Sequence, residues 1–141
     1  MHTAPDNVVL NKSAIIERSL RRMREEYRAD SSLENYTHID AMMFNIERAC
    51  QAAIVVAQHL VAVHHLGMPQ NSAESFILLE KSDLISKASA RSMVGMTRFR
   101  NVAIHENQKL DMDILRLITE SEYKSLIEFC RELGVRIVVD I

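Results

Sequence analysis

From Ile39 to Val63 the apolar residues recur in steps of three and four without a failure: Ile39, Met42, Ile46, Ala49, Ala53, Val56, Leu60 and Val63. A strand turns every second residue to one face, so this run can only be a long helix with a heptad-like seam. Thr37 is the expected N-cap and Gly67 the expected residue just past the end. Met43, Cys50, Ala57 and Val61 widen the stripe, so the helix must meet more than one neighbour, and its alanines permit close approach.

The neighbours are also helical. Ile16, Leu20, Met23 and Tyr27 line one face of a segment expected from Asn11 to Arg28, with arginines and glutamates on the other. Asn71 and Glu74 form a capping box ahead of Phe76, Ile77, Leu78 and Leu79. A further helix is expected from about Ser86 to His105 or Glu106, and a last one from about Met112 to Leu133, kinked near Thr119-Glu120-Ser121 and stopped by Gly134. Three glycines and two prolines are too few for a turn-rich β-fold. The expectation is an all-α, antiparallel bundle of four to five helices. It has an N-terminal arm (1–10), one helical domain (11–133) and a β-prone tail (134–141), either frayed or packed on a partner.

Charge and composition exclude several classes. A net charge of −2 is wrong for a nucleic-acid coat, though not for a local basic site. Cys50 and Cys130 lie far apart in apolar segments and read as buried free thiols. The charge-free run from Ala49 to Ala73 holds Gln51, Gln58, three histidines, Gly67 and Pro69, which makes it a poor membrane span. No signal peptide opens the sequence, so a cytoplasmic protein is expected. Walker A, GxGxxG, HExxH, CxxC and GxSxG motifs are all missing. His64 and His65 are adjacent, hence about 100° apart on a helix, and do not suggest a metal site; no metal or cofactor is expected. His59 reads as a satisfied, half-buried side chain.

Arg98-Phe99-Arg100-Asn101-Val102-Ala103-Ile104-His105 holds chemistry suited to cutting RNA through the ribose 2′-hydroxyl. Histidine moves protons near neutral pH, and arginine holds phosphate oxygens with a planar fork. The spacing alone is weak, because chance gives roughly 1.5 Arg-to-His matches in such a chain against the two found. Arg100 and His105 also point about 140° apart on a straight helix. A shared site needs a bend or a second copy of the chain.

The wording around that spacing is more specific. Met96-Thr97-Arg98-Phe99-Arg100-Asn101-Val102-Ala103-Ile104-His105 resembles the signature of the HepT-like branch of the HEPN superfamily. Asn45-Ile46-Glu47-Arg48-Ala49, Gln58-His59-Leu60, Gly67-Met68-Pro69, Phe76-Ile77-Leu78-Leu79 and Met93-Val94-Gly95 match family phrases in order, so the resemblance runs from about Asn11 to Glu132. It implies a homodimeric helical bundle acting as a metal-independent endoribonuclease toxin, with a small nucleotidyltransferase as antitoxin. Arg100 is then the motif arginine, Asn101 the polar residue after it and His105 the motif histidine, the two subunits sharing one cleft. Arg98, where relatives often have a small residue, is an added candidate for RNA binding. Many relatives place tyrosine two residues after the histidine and receive AMP there; this chain has Asn107, so control passes to complex formation or to another modified residue. The rival reading is a non-catalytic helical partner of a nucleotidyltransferase or a nucleotide.

Overall fold

The computed structural model describes residues 4–105 and 111–140, and for 102–105 the helical backbone alone. Helix α1 spans Asn7–Ala29, α2 Tyr36–Val63, α3 Ser72–Lys81, α4 Lys87–His105, α5 Met112–Leu117 and α6 Lys124–Glu132. A π-helical turn, Ile118–Glu122, joins α5 to α6. The backbone stays helical through Ile118 and Tyr123, so these last pieces form one bent rod. The described residues therefore build five rods and no strand, the all-α bundle that the sequence leads one to expect.

Helix α2 is the core. Seven of its eight seam residues, Ile39 to Leu60, are buried, and only Val63 at the end is exposed. Ile16, Leu20 and Met23 of α1 are fully enclosed against it, each worth roughly 1.5–3 kcal/mol of burial. Phe76 of α3 meets Phe129 of α6 edge-on at 5.5 Å between ring centres. By length and composition α2 could cross a membrane, yet more than half of its most apolar stretch is buried inside this bundle.

Helix ends depart from the sequence reading in instructive ways. Helix α1 begins at Asn7 rather than Asn11, because Asp6 accepts from the backbone N–H of Val9 at 3.0 Å. The other carboxylate oxygen of Asp6 lies 2.6 Å from His59 Nε2 on α2, which ties the start of α1 down and satisfies that histidine. Asn35, not Thr37, caps α2 by accepting from the N–H of Thr37. His65, at φ +54°, takes the left-handed position after α2 that was expected of Gly67. Its N–H and that of Leu66 close a Schellman motif onto Ala62 and Val61. Elsewhere the local signals hold. Asn71 caps the N–H of Glu74 at 2.9 Å, and Gly134, at φ +91°, closes α6.

The tail does not fray, and it packs on its own chain. The Val138 N–H donates to Glu17 Oε2 at 2.7 Å, and its carbonyl accepts from Arg21 Nε at 2.7 Å. Ile137 and Val139 are buried while Val138 is exposed, the alternation of an extended segment. Arg24 closes the arrangement. Its guanidinium lies over the rings of Tyr27 and Tyr123 and bonds Asp140 at 3.0 Å. It also donates to the Thr119 carbonyl at 2.6 Å. That carbonyl sits in the π turn, where the wider helical bonding pattern frees backbone groups for outside partners. The expected kink near Thr119 is thus a π turn held by an arginine from α1.

Candidate active site

Helix α4 carries every candidate side chain. Ser86 caps its start by accepting from the Ser89 N–H at 3.1 Å. Glu132 of α6 then accepts from the Ser86 N–H, the Ser86 hydroxyl and the Ser89 hydroxyl at 2.7, 2.8 and 2.9 Å. The carboxylate suits the positive end of the helix and fixes α4 at that end. Glu132 also lines a cavity of about 170 Å³ with Leu60, Val63 and His64, so α4 starts level with the end of α2. It then runs back along α2, antiparallel to it. Met93 and Met96 are buried on the way.

Two turns from its end, α4 exposes Arg98, half-buries Phe99 and Arg100, and exposes Asn101. Arg100 lies close enough to Cys50 of α2 for its charge to be felt there. Burial pushes the Cys50 thiol up to about 12, and the charge of Arg100 pulls it the other way. Such a thiol is neutral and inert at physiological pH, so Cys50 is no nucleophile.

The state of Arg100 is unusual. Arginine has five N–H donors, and buried donors are nearly always satisfied. Here Nε is enclosed and finds no hydrogen-bond partner among the described residues. Nη1 reaches only Asn101 Oδ1, at a long 3.5 Å. A guanidinium in this condition keeps donor capacity that an anion could use.

The structure brings Arg100 and Asn101 together. Arg98, two residues before Arg100, points about 160° away from it and stands in solvent. The backbone of His105 continues α4 one turn and a half beyond Arg100, but its side chain lies outside the described residues, as does Asn107. The arginine-rich face of α1, which looked available to guide RNA, is largely engaged. Arg21 pairs with Glu17, Arg22 with Glu25 and Glu26, and Arg24 and Arg28 with Asp140. Among the described residues no three His, Cys, Asp or Glu side chains gather as a metal site. The cavity beside Val63 is lined by neither Arg100 nor Asn101 and is no part of this arrangement.

Comparison with known proteins fits this geometry. A family model described as ribonuclease HepT-like matches residues 15–133. The mRNA nuclease HepT of Shewanella oneidensis is 30% identical over 125 residues, covering 88% of this chain and 94% of that protein. The tri-AMPylated Shewanella oneidensis HEPN toxin, solved in complex with MNT antitoxin, superposes with a TM-score of 0.86 at 30% identity, over 92% of this chain and 98% of that one. A toxin–antitoxin crystal structure with AMP-PNP gives a TM-score of 0.86 at 29% identity, over 91% and 98%.

Proposed function

The chain belongs to the HepT-like ribonuclease family, and from that premise we propose that it is the RNA-cutting toxin of a toxin–antitoxin pair, working in the cytoplasm. The observation that carries the reading is Arg100, a half-buried arginine whose Nε is buried without a hydrogen-bond partner among the described residues, inside the region the family model matches. A scissile phosphate supplies the acceptor that Nε lacks.

The chemistry follows from the residue types. His105 accepts the proton of a ribose 2′-hydroxyl, whose oxygen attacks the adjacent phosphorus. The bond to the 5′-oxygen breaks, and that oxygen takes up a proton. Arg100 stabilises the negative charge that builds on the phosphoryl oxygens. Asn101, beside the Arg100 guanidinium, orients the phosphate or the histidine. The products are a 2′,3′-cyclic phosphate and a 5′-hydroxyl, and no metal is required. Arg100 and His105 diverge by about 140° along one helix, and the composite site that the family resemblance implies, with both subunits of a homodimer contributing to one cleft, answers that divergence. Arg98 binds RNA at the rim. The partner that restrains the toxin is a nucleotidyltransferase-type antitoxin, in keeping with the MNT antitoxin bound to the Shewanella relative.

The test is cleavage of total cellular RNA by the purified dimer in EDTA, beside His105→Ala. Cutting by the parent alone, leaving 2′,3′-cyclic phosphate ends, is the expected result. No cutting by a folded parent dimer, together with harmless expression in cells, overturns the reading in favour of a non-catalytic binding partner.

A further inference from the structure

Most arginines of α1 are spent on carboxylates of their own chain, whereas the arginine on the outer side of α2 is not. Arg48 takes part in no ion pair or hydrogen bond among the described residues. Its guanidinium lies over the ring of Phe44, one turn earlier, at 5.7 Å from the ring centre. That ring is itself unusual. Of the four phenylalanines, Phe76 and Phe129 are buried and Phe99 is half-buried, but Phe44 is 58% exposed. It belongs to the solvent stripe of α2 that also carries Asp40, Gln51 and Gln58. A large aromatic ring in water, overlaid by a cation with no counter-ion, contributes little to the bundle.

Helix arithmetic places the pair beside the candidate site. Helix α4 starts level with the end of α2, because Glu132, which holds its first turn, lines one cavity with Leu60, Val63 and His64. Arg100 is thirteen residues past Lys87, the first residue of α4, and Cys50 is thirteen residues before Val63, the last of α2. Both intervals are about 20 Å, so the two residues sit at about the same level. The effect of the Arg100 charge on Cys50 agrees with this. Phe44 lies about 9 Å further along α2, in the direction in which α4 runs. It is about 120° around the helix from Cys50, on the open side. An RNA strand held at Arg100 and followed towards the end of α4 therefore comes level with Phe44.

We propose that Phe44 and Arg48 form a stacking platform for an unpaired base of the RNA substrate, with Arg48 also taking an adjacent phosphate. The inference rests on the toxin reading above and deepens it: the substrate is single-stranded where it crosses α2. A nucleotide satisfies both idle groups at once. Bases splayed out of a helix stack on aromatic rings and on guanidinium planes, and the phosphate supplies the missing counter-charge. A paired base keeps its faces inside the duplex and gains nothing from the ring.

The chain has no tryptophan, so Phe44→Trp installs a single fluorophore at the platform. Single-stranded oligoadenylate should quench its emission, and duplex RNA at the same concentration should not. Phe44→Ala should raise KM for single-stranded RNA by about ten-fold, with kcat and the dimer unchanged. Arg48→Gln should raise KM less and reduce the salt dependence of binding by about one phosphate contact. Absence of quenching, equal quenching by duplex, or a parental KM for Phe44→Ala overturns the proposal. So does dissociation of Phe44→Ala into monomers in sedimentation, which would make this face a contact between copies. If the parent does not cut RNA, the nuclease reading fails, and the quenching still decides whether a base stacks on residue 44.

Discussion

Two arginines in this molecule make opposite use of the same side chain. Arg24 of α1 is fully employed, lying over two tyrosine rings and bonding Asp140 and the Thr119 carbonyl. Arg100 of α4 is half-buried, with an unpartnered Nε and a single long contact to its own neighbour. A satisfied buried arginine is architecture, because removing it leaves Asp140 and a backbone carbonyl without partners. An unsatisfied one lowers stability in the free protein and persists where a ligand completes it. The contrast separates an arginine that holds the fold from one whose donors are still free, the one proposed to act.

Breaking the proposed site should have the largest effect. His105→Ala should reduce RNA cutting by about 10²–10⁴-fold, the usual worth of a general acid–base, with an unchanged denaturation midpoint. Single-turnover cleavage and a urea melt on one preparation read both numbers. Breaking the structural clasp should do the reverse. Arg24→Met should destabilise by about 2 kcal/mol in the urea melt, while the cutting rate of the folded fraction stays at the parental value.

A pH titration sharpens the comparison. Burial works to raise the Asp140 carboxyl, but the Tyr123 hydroxyl and Arg24 outweigh it and hold the group below its ordinary value. A depressed carboxylate contributes stability that is present above its unfolded pKa and is lost as pH falls through the folded one. Thermal melts should therefore show Asp140→Asn less stable than the parent at neutral pH, the two curves converging below about pH 4. A gap that stays constant down to the lowest pH would remove the carboxylate from the clasp. The smallest effect belongs to Arg98→Ala. It should weaken RNA binding a few-fold and reduce the salt dependence of log K by about one phosphate contact, measured by filter binding across ionic strength.

Local signals in the sequence were enough for much of this. The α2 seam, the Asn71–Glu74 capping box and the Gly134 stop depend on residues within a turn or two of each other, and each is where its pattern places it. The caps of α2 were each misplaced locally by two residues, and the larger failures are long-range. Asp6 starts α1 early while holding His59, 53 residues away. Val138 is drawn to Glu17 across 121 residues, so a tail with no local partner looked loose. The π turn exists because Arg24 receives its freed carbonyl, which no reading of Thr119-Glu120-Ser121 alone reveals. At the site, the identities of Arg100 and Asn101 and their divergence from His105 were legible from wording and helix geometry. The enclosure of Arg100 near Cys50 required the packing of α4 on α2.

The most direct measurement is Arg100→Met, with stability and RNA cleavage followed on the same dimer. If Arg100 is kept for substrate, the urea midpoint should hold or rise, because an idle buried charge has been replaced by an apolar side chain of similar length. Cutting should then fall by at least about 10²-fold. A destabilised dimer that still cuts RNA at the parental rate would make Arg100 a structural residue and contradict the assignment.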